Sequence, residues 1–264
     1  MNRYKIKYYS LKSKKFSYGH RLRIVFITDM HNIDMGNYNQ HILEKIKALQ
    51  PDLILIGGDL IVGKPGASMD AGLLFARNLA KIAPVYAGLG NHEYRLGLYP
   101  ETYGHMYEQY TDAMKKSGII LLLNESSTIV MKGTKLQIQG FNLPASYYSK
   151  LYRGSLPYEI LKEAMPSQEE DAFRILLAHH PKYFPTYAML KPDLVLSGHY
   201  HGGIIRLPFK KPLVGTDFTL FPKYAWGKYK KGHTNMIVSA GLGEHTIPLR
   251  INNPRELVVV DLGR

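Results

Sequence analysis

The chain has 264 residues and no cysteine. That excludes disulfides and thiolate metal sites, so any bound metal would have to be held by His, Asp, Glu or Asn. Long apolar runs are missing as well. No stretch approaches the roughly 20 residues that cross a bilayer, and the N-terminal MNRYKIKYYSLKSKKF has no apolar core of signal-peptide type. These absences predict a protein that is cytoplasmic or peripheral to a membrane. No internal repeat or low-complexity linker divides the sequence, which reads as one domain over 1–264, with a basic edge strand or arm over 1–20.

Acidic residues are scarce: 21 against 34 Lys and Arg, a net charge of +13. The excess is uneven. Residues 1–23 hold Arg3, Lys5, Lys7, Lys12, Lys14, Lys15, Arg21 and Arg23 with no acid. Residues 204–231 hold seven basic residues against Asp217 alone. Such patches attract polyanions, whether nucleic acid, anionic lipid head groups or phosphorylated small molecules. They also serve as ordinary solvated surface.

Short apolar runs alternate with helical periodicity. YKIKYY places Tyr4, Ile6 and Tyr8 on one face and predicts an edge strand. RIVFITD, DLILIGGD and VYAGLGNHE read as strands covered on both faces, the last followed by a turn. Helices are predicted over 39–49, with Asn39 as cap, over 70–82 and over 101–117, with Gly118 at the C-terminal cap. IILLLN, TIVMKG, KLQIQGF, RILLAHHP, DLVLSGHYH, GIIRLP, MIVSAG and ELVVVD read as further strands, with a short helix over 157–164. The βαβαβ start implies parallel strands. With the consecutive strands after it, this start suggests an α/β protein of two mixed sheets packed face to face, helices outside.

Five of these strands end in polar residues: Asp29 and His31 in FITDMH, Asp59 in LIGGDL, Asn91, His92 and Glu93 in GLGNHE, His179 and His180 in LLAHHP, and His199 and His201 in LSGHYH. In open α/β sheets functional groups gather beyond the carboxyl ends of strands. Carboxylates, an amide and imidazoles together suit Mn, Fe, Zn, Co or Ni. In extended backbone, residues two apart point the same way, roughly 6.6 Å from one another, so Asp29/His31 and His199/His201 could embrace one metal or straddle two. Asp59, between the two histidine-bearing pairs, is the natural bridge. Any one of these fragments alone is an ordinary turn or a structural histidine; their common position after five apolar runs is what points to a metal centre.

The fragments Asp29-x-His31, Gly58-Asp59, Gly90-Asn91-His92-Glu93, His179 and Gly198-His199-x-His201 resemble the signature of calcineurin-like metallophosphoesterases, in order and spacing from about residue 22 to 203. The later LFPKYAWGKYKKG and VSAGLGEHTIPLR resemble a bacterial branch of small phosphodiesterases and envelope-associated members, in which a transmembrane segment often precedes the first strand. The resemblance implies a four-layer α-β-β-α sandwich and two divalent metal ions (Mn, Fe, Zn or a mixture). It assigns Asp29, His31 and His201 to one metal and Asn91, His179 and His199 to the other, with Asp59 bridging. His92 is implied as the group that binds the transition-state oxygen or protonates the leaving group, and Glu93 as the residue orienting it. The second motif departs from the family pattern at Val62, where a polar residue is usual.

The implied reaction is hydrolysis of a phosphodiester or pyrophosphate, with a hydroxide between the metals attacking phosphorus and His92 assisting as acid. The expected substrate is a phosphorylated small molecule or a lipid-linked phosphate, with peripheral contact to an anionic membrane. The aromatic and basic stretch from Arg206 through Phe209, Phe218, Phe221, Tyr224, Trp226 and Tyr229 is a candidate cleft or interface, alternatively core with a lysine rim. His180, Tyr200, Arg206 and Trp226 are the candidate substrate contacts. Two alternatives stand beside this reading: a nuclease whose basic patches track a nucleic-acid backbone, and a non-catalytic metal-binding scaffold.

Overall fold

The computed structural model describes residues 4–149, 151–207, 212–215, 219–244 and 249–264. Arg3, Phe209, Lys210, Lys211, Asp217, Phe218 and part of the GLGEHTIPLR stretch lie outside the described residues.

In chain order the elements are β1 (Tyr4–Lys12), β2 (Arg21–Ile27), α1 (Gln40–Ala48), β3 (Leu53–Ile56), α2 (Asp70–Leu79), β4 (Val85–Ala87), α3 (Asn91–Leu98), α4 (Pro100–Tyr103), α5 (Met106–Lys116), β5 (Ile120–Leu121), β6 (Ser126–Met131), β7 (Thr134–Phe141), α6 (Tyr158–Ala164), β8 (Phe173–Ala178), α7 (Phe184–Tyr187), β9 (Leu194–Ser197), β10 (Ile205–Arg206), β11 (Pro212–Val214), β12 (Gly227–Lys231), β13 (Thr234–Val238) and β14 (Arg255–Gly263). One sheet runs β1-β14-β2-β3-β4-β5 and the other β12-β13-β9-β8-β7-β6. Both are mixed: β2, β3, β4 and β5 are parallel with β14 opposed to β2, while β7, β8, β9 and β13 are parallel and flanked by antiparallel β6 and β12.

The central strands β3, β4, β8 and β9 are buried along their whole length because each face meets a different layer. In β2, Leu22, Ile24 and Phe26 enter the core between the sheets, and Val25 and Ile27 enter the core beneath α1 and α2. Leu53 and Leu55 alternate with Ile54 and Ile56 in the same way. On the second sheet Ile175 and Leu177 face inward, while Leu176 and Ala178 pack against Leu161 of α6 and Phe184 of α7. Each such fully buried side chain contributes about 1.5–3 kcal/mol of transfer free energy. The result is the expected helix, sheet, sheet, helix sandwich.

Local details differ from the sequence reading. β1 is an edge strand, but Tyr8 is exposed, while Tyr9 and Leu11 pack into the core between the sheets. Asn39 does not cap α1; its φ is 61°, and its side chain bonds Met35 N and Ile33 O of the preceding loop. The segment 101–117 is broken into α4 and α5 at Gly104, whose φ of 56° interrupts the helix. The segment after β4 is more than a turn: α3 begins at Asn91.

Candidate metal centre

Strands β2, β3 and β4 of one sheet and β8 and β9 of the other deliver their carboxyl ends to the same edge of the sandwich. Side chain to backbone bonds stitch the two sheets there. Nδ1 of His179 lies 2.7 Å from the carbonyl of Gly57, and the N–H of His199 donates to both oxygens of Asp29 at 2.9 and 3.1 Å.

The candidate ligands are not on extended backbone. β2 stops at Ile27 and β9 at Ser197. Asp29, His31, Asp59, His199 and His201 have φ of 52°, 50°, 52°, 67° and 49°. The expected strand-like i, i+2 geometry is therefore replaced by left-handed turns. Such residues cost about 1–3 kcal/mol each and cluster at functional sites. The packing leaves little room around them. A Cβ on Gly198 would sit 2.1 Å from Oδ2 of Asp29, and one on Gly58 (φ 94°) would sit 2.2 Å from the backbone nitrogen of Gly90.

Two groups of donors converge: Asp29, His31 and His201, and Asp59, His179 and His199, each with ligand atoms within 4.8 Å of one another. Nε2 of His31 and Nε2 of His201 face each other at 3.1 Å. Oδ2 of Asp59 stands between the groups, 3.1 Å from Nε2 of His179 and 3.7 Å from Nε2 of His31. Oδ1 of Asn91 is buried without a hydrogen-bond partner, and Nε2 of His179 is buried without an aligned one. Buried polar atoms are nearly always satisfied, so the orphaned oxygen of Asn91 beside two carboxylates fits a site built for cations. With Nδ1 of His179 donating to Gly57, its Nε2 lone pair is left for a metal.

The electrostatics follow from burying charge. Burial disfavours ionised Asp59, yet His179, His92 and His31 hold it well below the usual carboxylate range. Burial pushes Asp29 up to about 6, with Asp59 adding repulsion. Burial opposes a proton on His179, but Asp59 and Asp29 overcome it and raise the ring to about 9. The pair of carboxylates demands positive charge between them, and a proton supplies it when a cation does not.

His92 lies beside the first group, its ring 4.7 Å from that of His31. A ring nitrogen of His92 also falls within 4.8 Å of ligand atoms of His31 and Asp59. The N–H of Gly63 donates to its Nδ1 at 2.8 Å, and burial lowers its pKa, so the ring is neutral with its proton on Nε2. Glu93 does not orient this ring. Its carboxylate accepts from the backbone N–H of Asp59, Gly90 and Ile61 at 2.9, 2.9 and 3.0 Å, clamping the β3 turn to the start of α3. Burial, then Asp59, pushes Glu93 up to about 7.

A cleft of about 630 Å³ opens from Asn91, His92 and His199, and His180 and Tyr200 line it. The His180 ring lies 4.2 Å from that of His199, while burial and the neighbouring charges of His179 and Lys182 hold its pKa well below the usual range. Arg206 and Trp226 are elsewhere. The guanidinium of Arg206 stacks 4.0 Å over the Trp226 ring, Trp226 Nε1 donates to Glu256, and the pair borders a separate cavity beside β1 and β14. Sequence reasoning had only their proximity to His201 to go on, and the intervening turn carries the chain away. It missed Tyr148, whose ring lies 5.3 Å from His199 and 5.5 Å from His180. It also missed Arg250, whose guanidinium donates to the carbonyls of His201, Ala240 and Gly243. Neither belongs to a spaced motif, so no sequence signal marked them.

A family profile described as calcineurin-like phosphoesterase matches residues 22–203. An uncharacterized metallophosphoesterase of Helicobacter pylori (strain J99 / ATCC 700824) is 31% identical over 246 residues, covering 91% of this chain and 60% of the relative's own length. Phosphodiesterase YaeI of Escherichia coli K12 is 26% identical, with 91% of this chain and 82% of the relative covered. An uncharacterized metallophosphoesterase of Aquifex aeolicus is 28% identical over 98% of this chain and 91% of its own. Among the described residues no helix is long and apolar enough to cross a membrane. With its strand-end motifs gathered at one edge of the sandwich and the profile spanning all of them, the chain belongs to the calcineurin-like phosphoesterase family.

Proposed function

We propose that the protein is a metal-dependent phosphoesterase, most suited to phosphodiesters, acting on a phosphorylated small molecule as a single domain over the whole chain. The observation that carries this reading is the position of Asp59 Oδ2, which faces His179 of one donor group and His31 of the other. One ion would be held by Asp29, His31 and His201, a second by Asn91, His179 and His199, with Asp59 shared. Two divalent cations there would acidify water and draw phosphate oxygens toward them.

The chain's own residues supply the rest. Asp29 is held by Thr28 Oγ1 and the His199 N–H, and Asp59 Oδ1 by the His92 N–H at 2.9 Å, so both carboxylates are preorganised. His92, neutral and protonated on Nε2, is placed to donate to a phosphate oxygen or to the leaving group. No serine or cysteine nucleophile is required. The cleft falls within the roughly 300–1,000 Å³ usual for small-molecule sites, which favours such a substrate over a duplex. A lipid-linked substrate at a membrane surface is the finer form of the same reading, supported by Leu220 and Phe221 standing exposed beside lysines.

The test is a hydrolysis panel on chelator-stripped protein with Mn²⁺, Zn²⁺ or Fe²⁺ restored: a phosphomonoester, a phosphodiester, oligonucleotides and a lipid diphosphate. Diester hydrolysis that returns with the metal and is lost in Asp59→Asn is expected. Failure with every ester and every cation would leave only the scaffold reading.

A further inference from the structure

Arg250 lies beyond residue 203, where the family profile ends, yet its guanidinium spans two segments that meet at the first donor group. Nη1 donates to the carbonyl of His201 at 3.2 Å, and Nη2 donates to the carbonyls of Ala240 and Gly243 at 2.9 and 2.6 Å. Nη2 also stands 3.3 Å from Nδ1 of the His201 ring. The segment after β13 is in turn bonded to the Asp29 turn. The N–H of Leu242 donates to the carbonyl of Thr28 at 3.2 Å, and that of Gly243 to the carbonyl of Asp29 at 2.6 Å. The approach there is close: a Cβ on Gly241 (φ 68°) would sit 2.6 Å from Cβ of Asp29. His201, Arg250, Gly243 and Asp29 thus form one hydrogen-bonded chain, and both its ends are candidate ligands of the same ion.

A turn alone does not call for a guanidinium. The Arg250 side chain is only 11% exposed, and Oε2 of Glu244 lies 3.3 Å from its Nε. A buried ion pair of this kind is often worth no more to a fold than apolar side chains of similar volume. A fixed cation is also a repulsive neighbour for a metal site. What the guanidinium offers in return is a rigid planar fork of donors, which a Lys ammonium does not reproduce. That fork reaches the His201 turn and the 240–243 segment at once.

The other donor group is seated by different bonds. The Gly57 carbonyl fixes the His179 ring, and the His92 N–H fixes Asp59. We propose that Arg250 is a positioning residue for the first ion: it fixes His201 against Asp29, and so sets the affinity of the Asp29, His31 and His201 site without setting that of its neighbour. This rests on the two-ion reading above.

The test is calorimetric titration of the chelator-stripped full chain with Mn²⁺, with circular dichroism and the chelated melt confirming that each variant folds. Wild type is expected to take up two ions. In Arg250→Met one of the two dissociation constants should rise about 10–100-fold, as is usual when the partner behind a ligand is removed, and the other should not move. Arg250→Lys should fall between, since it keeps the charge without the fork, and it carries the comparison should Arg250→Met fail to fold. Two backgrounds identify the ion. Asn91→Ala retains the first site, so adding Arg250→Met should weaken the ion that remains. His31→Ala disables the first site, so the same addition should leave its remaining ion unchanged. Equal weakening in the two backgrounds, or two unchanged constants in Arg250→Met, overturns the proposal and leaves Arg250 a structural residue. A wild type that binds fewer than two ions overturns the two-ion reading instead.

Discussion

The backbone N–H of Gly63 donates to Nδ1 of His92 across 2.8 Å. That bond decides which nitrogen of the ring carries the proton. Replacing His92 with Ala removes a donor without removing any of the seven assigned ligands. Turnover should fall by about 10²–10⁴-fold, while metal content measured by atomic emission stays at wild-type stoichiometry. Loss of an ion in His92→Ala would instead make His92 a ligand, as its proximity to His31 and Asp59 allows.

Asn91 Oδ1 is buried with nothing to accept from. An unsatisfied buried acceptor costs about 1–3 kcal/mol, which a bound cation would recover. Asn91→Ala should therefore lower the metal stoichiometry and the melting temperature of the metal-loaded protein. The chelated protein should melt nearly as wild type does. A variant equally destabilised with and without metal would show that Asn91 acts in folding alone.

Glu93 accepts three backbone N–H groups. In Glu93→Gln one amide oxygen can still serve Asp59 and Gly90, but an NH₂ then opposes the N–H of Ile61. The expected destabilisation is about 1–3 kcal/mol, read by denaturant unfolding, with weaker metal binding as the β3 turn loosens. An unchanged unfolding midpoint would remove the clamp role.

His179 gives the chelated protein a pH dependence of known sign. Its folded pKa of about 9 lies above its ordinary 6.5. The native state thus holds a proton that the unfolded chain has released across that window, and stability falls as pH rises through it. Asp29, at about 6, and Glu93, at about 7, add the same sign lower down. His92 and His180, both depressed, add the opposite sign below 6.5, so the clear interval is pH 7 to 9. The chelated protein should lose melting temperature across it more steeply than the Mn²⁺-loaded protein, where the cation replaces the proton. Parallel curves for the two forms would contradict this.

Much of the fold was readable from local chemistry. Leu53-Ile54-Leu55-Ile56 has no polar residue to turn toward water, so both its faces had to be covered. Helix α5 follows Tyr110 and Met114 onto the sheet, and Gly118, at φ 76°, ends it as its position implied. The break at Gly104 was not readable, since α4 and α5 carry one nearly continuous pattern.

The site divides in the same way. Asp59, Asn91 and His179 are each the first polar groups beyond an apolar strand, and Asp29 and His199 follow close behind Thr28 and Ser197, so chain order alone marks them. Whether His199 and His201 shared one ion or parted could not be read from their spacing. It depends on left-handed turns, one of which is tied to the other sheet where the His199 N–H meets Asp29.

The sandwich, the donor types and the absence of thiolate chemistry were determined by sequence alone, because burial and side-chain composition are local properties. The tertiary structure alone decided that Asp59 Oδ2 faces both donor groups, that Glu93 serves the backbone and not His92, and that Arg206 and Trp226 stand outside the cleft. Those outcomes depend on how two sheets and their turns meet, and contacts between residues distant in the chain, such as Glu93 with Asp59 or Asp59 with His179, leave no periodicity in the sequence to read.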